Sequence, residues 1–120
     1  MKILITAKGK QTSDAVDPRF GRAKFFSLVD TETNEITIHD NSQNLNAAQG
    51  AGIQAAQAVV RLGAEAVISG NVGPNAFQAL NAAGIKVYLC PQATVEEAVR
   101  KFKAGELKEI ALANVQGHWS

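Results

Sequence analysis

Two arginines flank a glycine in the segment Asp17-Pro18-Arg19-Phe20-Gly21-Arg22-Ala23, within a polar loop after the first predicted strand. A guanidinium presents planar, paired donors that suit a carboxylate, a phosphate or another anion, so Arg19 and Arg22 on a glycine-bent loop suggest an anion site. The same segment also reads as a surface turn whose arginines pair with Asp14 or Asp17. Two glycine-rich turns, Gly50-Ala51-Gly52 and Gly70-Asn71-Val72-Gly73-Pro74, tip the balance toward ligand binding, because each opens a predicted helix. Glycine there lets backbone amides approach a ligand, and a helix N-terminus carries partial positive charge. Either turn also has a structural reading, as a tight strand-to-helix connection. Neither spacing matches the phosphate loop GxxxxGK[ST] or the dinucleotide fingerprint GxGxxG.

Metal ligands are scarce. The weak candidates are Cys90, His39 and His118. A lone cysteine at the end of an apolar strand is more often a small buried hydrophobe. His39 falls on a hairpin strand and His118 in the tail, and no spacing supplies the four ligands of a structural zinc site. Enzymatic constellations are weaker. Ser13, Ser27 and Ser69 have no histidine placed to activate them, and no GxSxG elbow occurs. A two-metal nuclease needs carboxylates near the centre of its sheet, and the strand Lys2 to Thr6 has none. No catalytic residue is assigned.

The elements that position these residues follow from periodicity. Lys2 to Thr6 is a strand; Lys24 to Asp30 and Glu35 to Asp40 flank the turn Thr31-Glu32-Thr33-Asn34 as an edge hairpin. A polar stretch from Asn41 to Ala47 leads into a helix from Ala48 to Leu62, ended by Gly63. Glu65 to Gly70 is a buried-type strand. Pro74 opens a second helix that runs to Ala83. Lys86 to Cys90 is another buried strand, and Thr94 with Glu97 forms a capping box for a helix running to about Lys103. Leu107 to Leu112 is ambiguous.

A hairpin followed by helix and strand units predicts a single α/β domain over residues 1–113, with a tail over 114–120. Its sheet is mixed, with the first, fourth and fifth strands parallel. Ligands of such sheets bind beyond the carboxyl ends of the strands where strand order reverses, here between the first and fourth strands. The basic loop and both glycine turns converge on that point.

At 120 residues, 46% hydrophobic and 19% charged, the chain can bury a core without disulfides, which its single cysteine rules out within one chain. A formal net charge of +1 gives no general attraction to nucleic acid or membrane. Charge is local instead: Met1 to Lys24 holds six basic and two acidic residues, and Asp30 to Asp40 holds four acids and no Lys or Arg. No stretch has signal-peptide character or the roughly 18 apolar residues that span a bilayer, so a cytoplasmic protein is expected.

The stretches KILIT, DPRFGRAKFFSLVD, GAGIQAAQ, VISGNVGPNAFQALNAAGIKVYL and TVEEAVRKFKAGEL together resemble the dinitrogenase iron-molybdenum cofactor-binding family, over about residues 1 to 110. The resemblance implies a ribonuclease-H-like fold with a five-stranded mixed sheet. It also implies binding of an iron-sulfur or iron-molybdenum-type cofactor or its precursor, with no turnover, and exchange with a cofactor donor or acceptor protein. Arg19, Phe20, Gly21, Arg22, Gly70, Gly73 and Pro74 are the positions the family motifs carry over. Such clusters are anionic, so Arg19, Arg22 and the amides near Gly73 suit contacts around one. Gly50, Gly52 and Asn71 complete the expected site. An interaction domain without cofactor and a metal-dependent phosphoester-cleaving enzyme are the alternatives.

Overall fold

The computed structural model describes residues 1–41 and 50–111. Five strands and three helices follow one another along these residues. Strands β1 (Lys2–Ala7), β2 (Phe25–Asp30) and β3 (Ile36–Asp40) precede helix α1 (Ala51–Arg61). Strand β4 (Ala66–Ser69), helix α2 (Pro74–Ala82), strand β5 (Lys86–Leu89) and helix α3 (Val95–Lys103) complete the order. The sheet runs β3-β2-β1-β4-β5. β1 pairs antiparallel with β2 and parallel with β4, so strand order reverses beside β1, as the sequence predicts.

Alternation along β1 feeds two cores. Leu4 joins Phe20, Phe26, Val67 and Val87 beneath Ala55, Val59 and Leu80, from α1 and α2. Ile3 and Ile5 point the other way, with Val29 and Ile68, toward Val95 and Ala98 of α3. Both faces of β1 and β4 are covered, which is why they read as unbroken apolar runs. β3 is wet by contrast, with Ile36 38% exposed.

Helix ends match their chemistry. Thr94 caps α3, with its hydroxyl accepting from the Glu97 amide at 3.2 Å and its own amide donating to Glu97 Oε1 at 2.9 Å. Beyond α1, Gly63 turns at φ 78°, the left-handed region open to glycine. The ambiguous segment after α3 is a flank to β5: the Ile110 amide donates to Val87 O at 2.9 Å, and Glu109 bridges Tyr88. The expected linker beyond Asn41, Ala48 and Gln49 of the helix predicted from Ala48, Leu112, and the tail with His118 lie outside the described residues; the helix itself begins at Ala51, because Gly50 before it has left-handed backbone. No helix among the described residues is long and apolar enough to cross a membrane.

Candidate functional site

The loop after β1 is pinned at the carboxyl ends of β1 and β4 by one carbonyl. Asp17 O accepts from Thr6 Oγ1 at 2.9 Å, Gly70 N at 3.3 Å and Ser69 Oγ at 3.4 Å, while the Asp17 amide donates to Thr6 O at 2.8 Å. Thr6 Oγ1 and Ser69 Oγ are themselves 2.9 Å apart, and both residues are fully buried. Buried hydroxyls and carbonyls need such partners, so Thr6 and Ser69 fix the entry of the loop. The Asp17 carboxylate then accepts from the Arg19 amide at 2.9 Å, an Asx turn that sets the direction of the arginine backbone.

Phe20 anchors the loop from below. Its ring is 2% exposed and stacks on Phe26 with centroids 6.2 Å apart and planes 17° from parallel. Its amide donates to Asn71 O at 3.3 Å, tying the basic loop to the turn after β4. The glycines permit contact between backbones. A Cβ on Gly21 would come within 2.8 Å of Gly52 Cα and N, and one on Gly70 within 2.5 Å of Pro18 Cα. The basic loop thus packs against the start of α1 and the end of β4 together, and all three predicted features meet.

Beside this junction lies an open cavity of ≈ 340 Å³ lined by Lys8, Asp17, Pro18, Arg19, Arg22 and Lys24. Four cationic side chains face one carboxylate there, a formal excess of three positive charges. Arg19 is exposed and Arg22 half-buried. The Asp14 carboxylate accepts from the Gln11 amide at 2.9 Å, and the Asp17 carboxylate from the Arg19 amide. A second cavity of similar size, lined by residues that include His39, Asp40 and Arg61, mixes both signs of charge and offers no comparable attraction for an anion.

Phe20, Gly21, Gly50, Gly52, Gly70, Asn71 and Gly73 do not line the cationic cavity; Phe20 with Asn71, Gly21 with Gly52, and Gly70 with Pro18 hold the loop that does. Gly50 is the N-cap residue of α1, at φ 75°, and Gly73 caps α2 with buried, extended backbone. Lys8 and Lys24 line the cavity without having been singled out in the sequence, although the basic excess of the first 24 residues contains them. The buried Thr6–Ser69 pair left no sequence signal, because threonine and serine in apolar strands are common.

Of the weak metal candidates, Cys90 and His39 fall within the described residues, Cys90 directly after β5 and His39 on β3. Cys90 is 3% exposed, and burial pushes its thiol up, away from the thiolate a metal needs. His39 Nε2 lies 3.0 Å from Thr37 Oγ1 on the edge strand. Among the described residues no three His, Cys, Asp or Glu side chains gather as a metal site.

Comparison with known proteins agrees with this architecture. The chain is similar to the orange protein of Desulfovibrio gigas, solved in its apo form, at 43% identity over 95% of this chain and 96% of the other, with a TM-score of 0.93. A Thermotoga protein named as a candidate NifB protein superposes with a TM-score of 0.84 at 38% identity, over 97% of this chain and 98% of its own. An uncharacterised protein of Methanocaldococcus jannaschii is 29% identical over 82% of this chain and 85% of that one. The family model described as dinitrogenase iron-molybdenum cofactor matches residues 1–105, and the chain belongs to that family.

Proposed function

We propose that this protein is a small carrier that receives an anionic iron-sulfur or iron-molybdenum-type cofactor, or its precursor, in the cationic cleft and passes it on without turnover. The observation that carries this reading is the convergence of Lys8, Arg19, Arg22 and Lys24 on one cavity beside the strand-order reversal. Cationic side chains on a pinned loop hold an anion through charge-assisted hydrogen bonds and release it as solvent or a partner competes. The donor set fits the outer, anionic shell of a cluster. Direct thiolate or imidazole ligation has no support among the described residues, since Cys90 is buried and His39 stands apart. The cargo therefore arrives with its own inorganic or organic ligands.

A mixed sheet in the order β3-β2-β1-β4-β5 supports reading the frame as ribonuclease-H-like. Nuclease chemistry on that frame lacks support, because β1 carries no carboxylate to hold a divalent metal. The natural partners in this reading are a protein that donates the cofactor and one that accepts it.

Anaerobic reconstitution with iron and sulfide, or transfer from a cofactor donor, tests the proposal through metal analysis and visible spectra. Wild type is expected to take up metal in a fixed ratio. Arg19→Ala with Arg22→Ala is expected to weaken uptake by about tenfold or more, as loss of charge-assisted hydrogen bonds would. Unchanged uptake in the double variant would remove the assignment of the cleft.

A further inference from the structure

The two edges of the sheet differ. β5 is flanked by the Glu109–Ile110 segment, whose Ile110 amide bonds to Val87 O. Among the described residues, β3, at the other edge, is paired as a strand only on its β2 side. At the ends of the β2–β3 ladder the Asp30 amide donates to Glu35 O, at 2.9 Å, and the Asn41 amide to Lys24 O, at 3.0 Å. Odd-numbered residues of β3 therefore bond inward. By the alternation of antiparallel ladders, Ile36 and Ile38 turn their backbone N–H and C=O groups outward. Natural edge strands are commonly guarded by charged side chains, proline or a bulge. Glu35 and Asp40 carry charge at the two ends, but Ile36, Thr37 and Ile38 between them carry none, and the segment has no proline or bulge.

We propose that β3 is a homodimer edge, where a second copy of this chain pairs antiparallel about a two-fold axis through Thr37. The sequence Glu35-Ile36-Thr37-Ile38-His39 reads nearly the same in both directions around Thr37. That register sets Ile36 opposite Ile38 of the second copy, Thr37 opposite its counterpart, and Glu35 opposite the second copy's His39. Each pair lies on a consistent face. Ile36 pairs within the chain with Val29 and Ile38 with Ser27, on the α3 side, whereas Thr37 and His39 stand opposite Leu28 and Phe26, on the α1 side. Apolar pairs thus meet on one face, and the acid meets the imidazole on the other.

The exposed partner of the apolar pairs is Ile36, at 38% exposure, and it gains cover. On the opposite face His39 and Arg61 line the same cavity, so the incoming Glu35 meets basic groups from both β3 and α1. Because residues 36 and 38 both turn their backbone groups outward, this register lets them exchange hydrogen bonds across the axis. Cross-strand apolar, Thr–Thr and opposite-charge pairs each favour association, and two-fold symmetry repeats every off-axis pair. The result is one sheet continuous through both copies. A two-fold pairing leaves a free edge only at the flanked β5 strands, so association stops at the dimer.

Sedimentation velocity of the full chain over a range of concentrations tests this. Wild type is expected to shift from monomer to dimer as concentration rises. Ile36→Lys introduces the missing guard at an exposed position and should weaken dimerisation about tenfold or more, because symmetry loses the pair twice. Glu35→Lys should weaken it in the same way by facing a cation with His39 and Arg61. Glu35→Lys combined with His39→Glu restores opposite charges and should recover the dimer. Far-UV circular dichroism unchanged in each variant keeps the comparison to association. A wild type that stays monomeric throughout, or a dimer indifferent to Ile36→Lys and to charge reversal, would overturn the proposal.

Discussion

Arg19 and Arg22 owe their positions to the residues around them. Asp17 is the clearest case: its carbonyl is held by Thr6, Ser69 and Gly70, and its carboxylate turns the backbone into Arg19. Gly70→Ala tests this dependence, since its Cβ would meet Pro18 Cα at 2.5 Å, too close for backbone to remain in place. We expect the variant to be destabilised by about 1–3 kcal/mol, as overpacking elsewhere is, with its denaturant midpoint lowered accordingly. It should also lose anion uptake, because the displaced Pro18 precedes the arginine. At this scale the sequence displayed the cations but not what aims them. The glycine turns at 50–52 and 70–74 suggested amides presented to a ligand; Gly21 and Gly70 in addition allow the close approach of two backbones, a contact between segments far apart in the chain that no local pattern reveals.

Among the elements, α3 is the one whose stability depends most openly on its first turn. Thr94 and Glu97 satisfy each other's amides, and those hydrogen bonds to Thr94 hold the Glu97 carboxyl below the usual range. A lowered native value means that Glu97 contributes stability above the ordinary carboxylate range, and that this contribution is lost as pH falls through the lowered value. Asp30 carries the same sign, because the amides of Glu32 and Thr33 bond to its carboxylate at the hairpin turn. Thermal unfolding followed between neutral and acidic pH should show a shallower acid decline in Glu97→Gln than in wild type. Thr94→Ala should cost about 1 kcal/mol at neutral pH, typical of a lost N-cap. Capping was legible because its residues stand three apart in the chain. The Glu109–Ile110 flank of β5 was not, since its partner lies over twenty residues away and its own sequence has no period.

Across the whole molecule, strand order and direction were readable from the alternation of elements, because handedness and short connections leave few ways to close a hairpin and two crossovers into one sheet. The cleft followed from that order, at the reversal beside β1. Its depth of charge did not, because Lys8 and Lys24 come from opposite ends of a long loop and meet only when the loop closes. That closure has a consequence for exchange of backbone amides with deuterium. The Asp17 and Gly70 amides bond into a knot whose other members, Thr6 and Ser69, belong to the two central strands. These loop amides should therefore exchange as slowly as those of β1 and β4, opening only with the sheet itself. Loading the cleft should leave their protection in step with the strands, and faster exchange at Asp17 than at Ile5 would show a loop that opens by itself. A cleft built this way would cost an incoming anion little ordering, so binding should proceed with the loop already in its final shape.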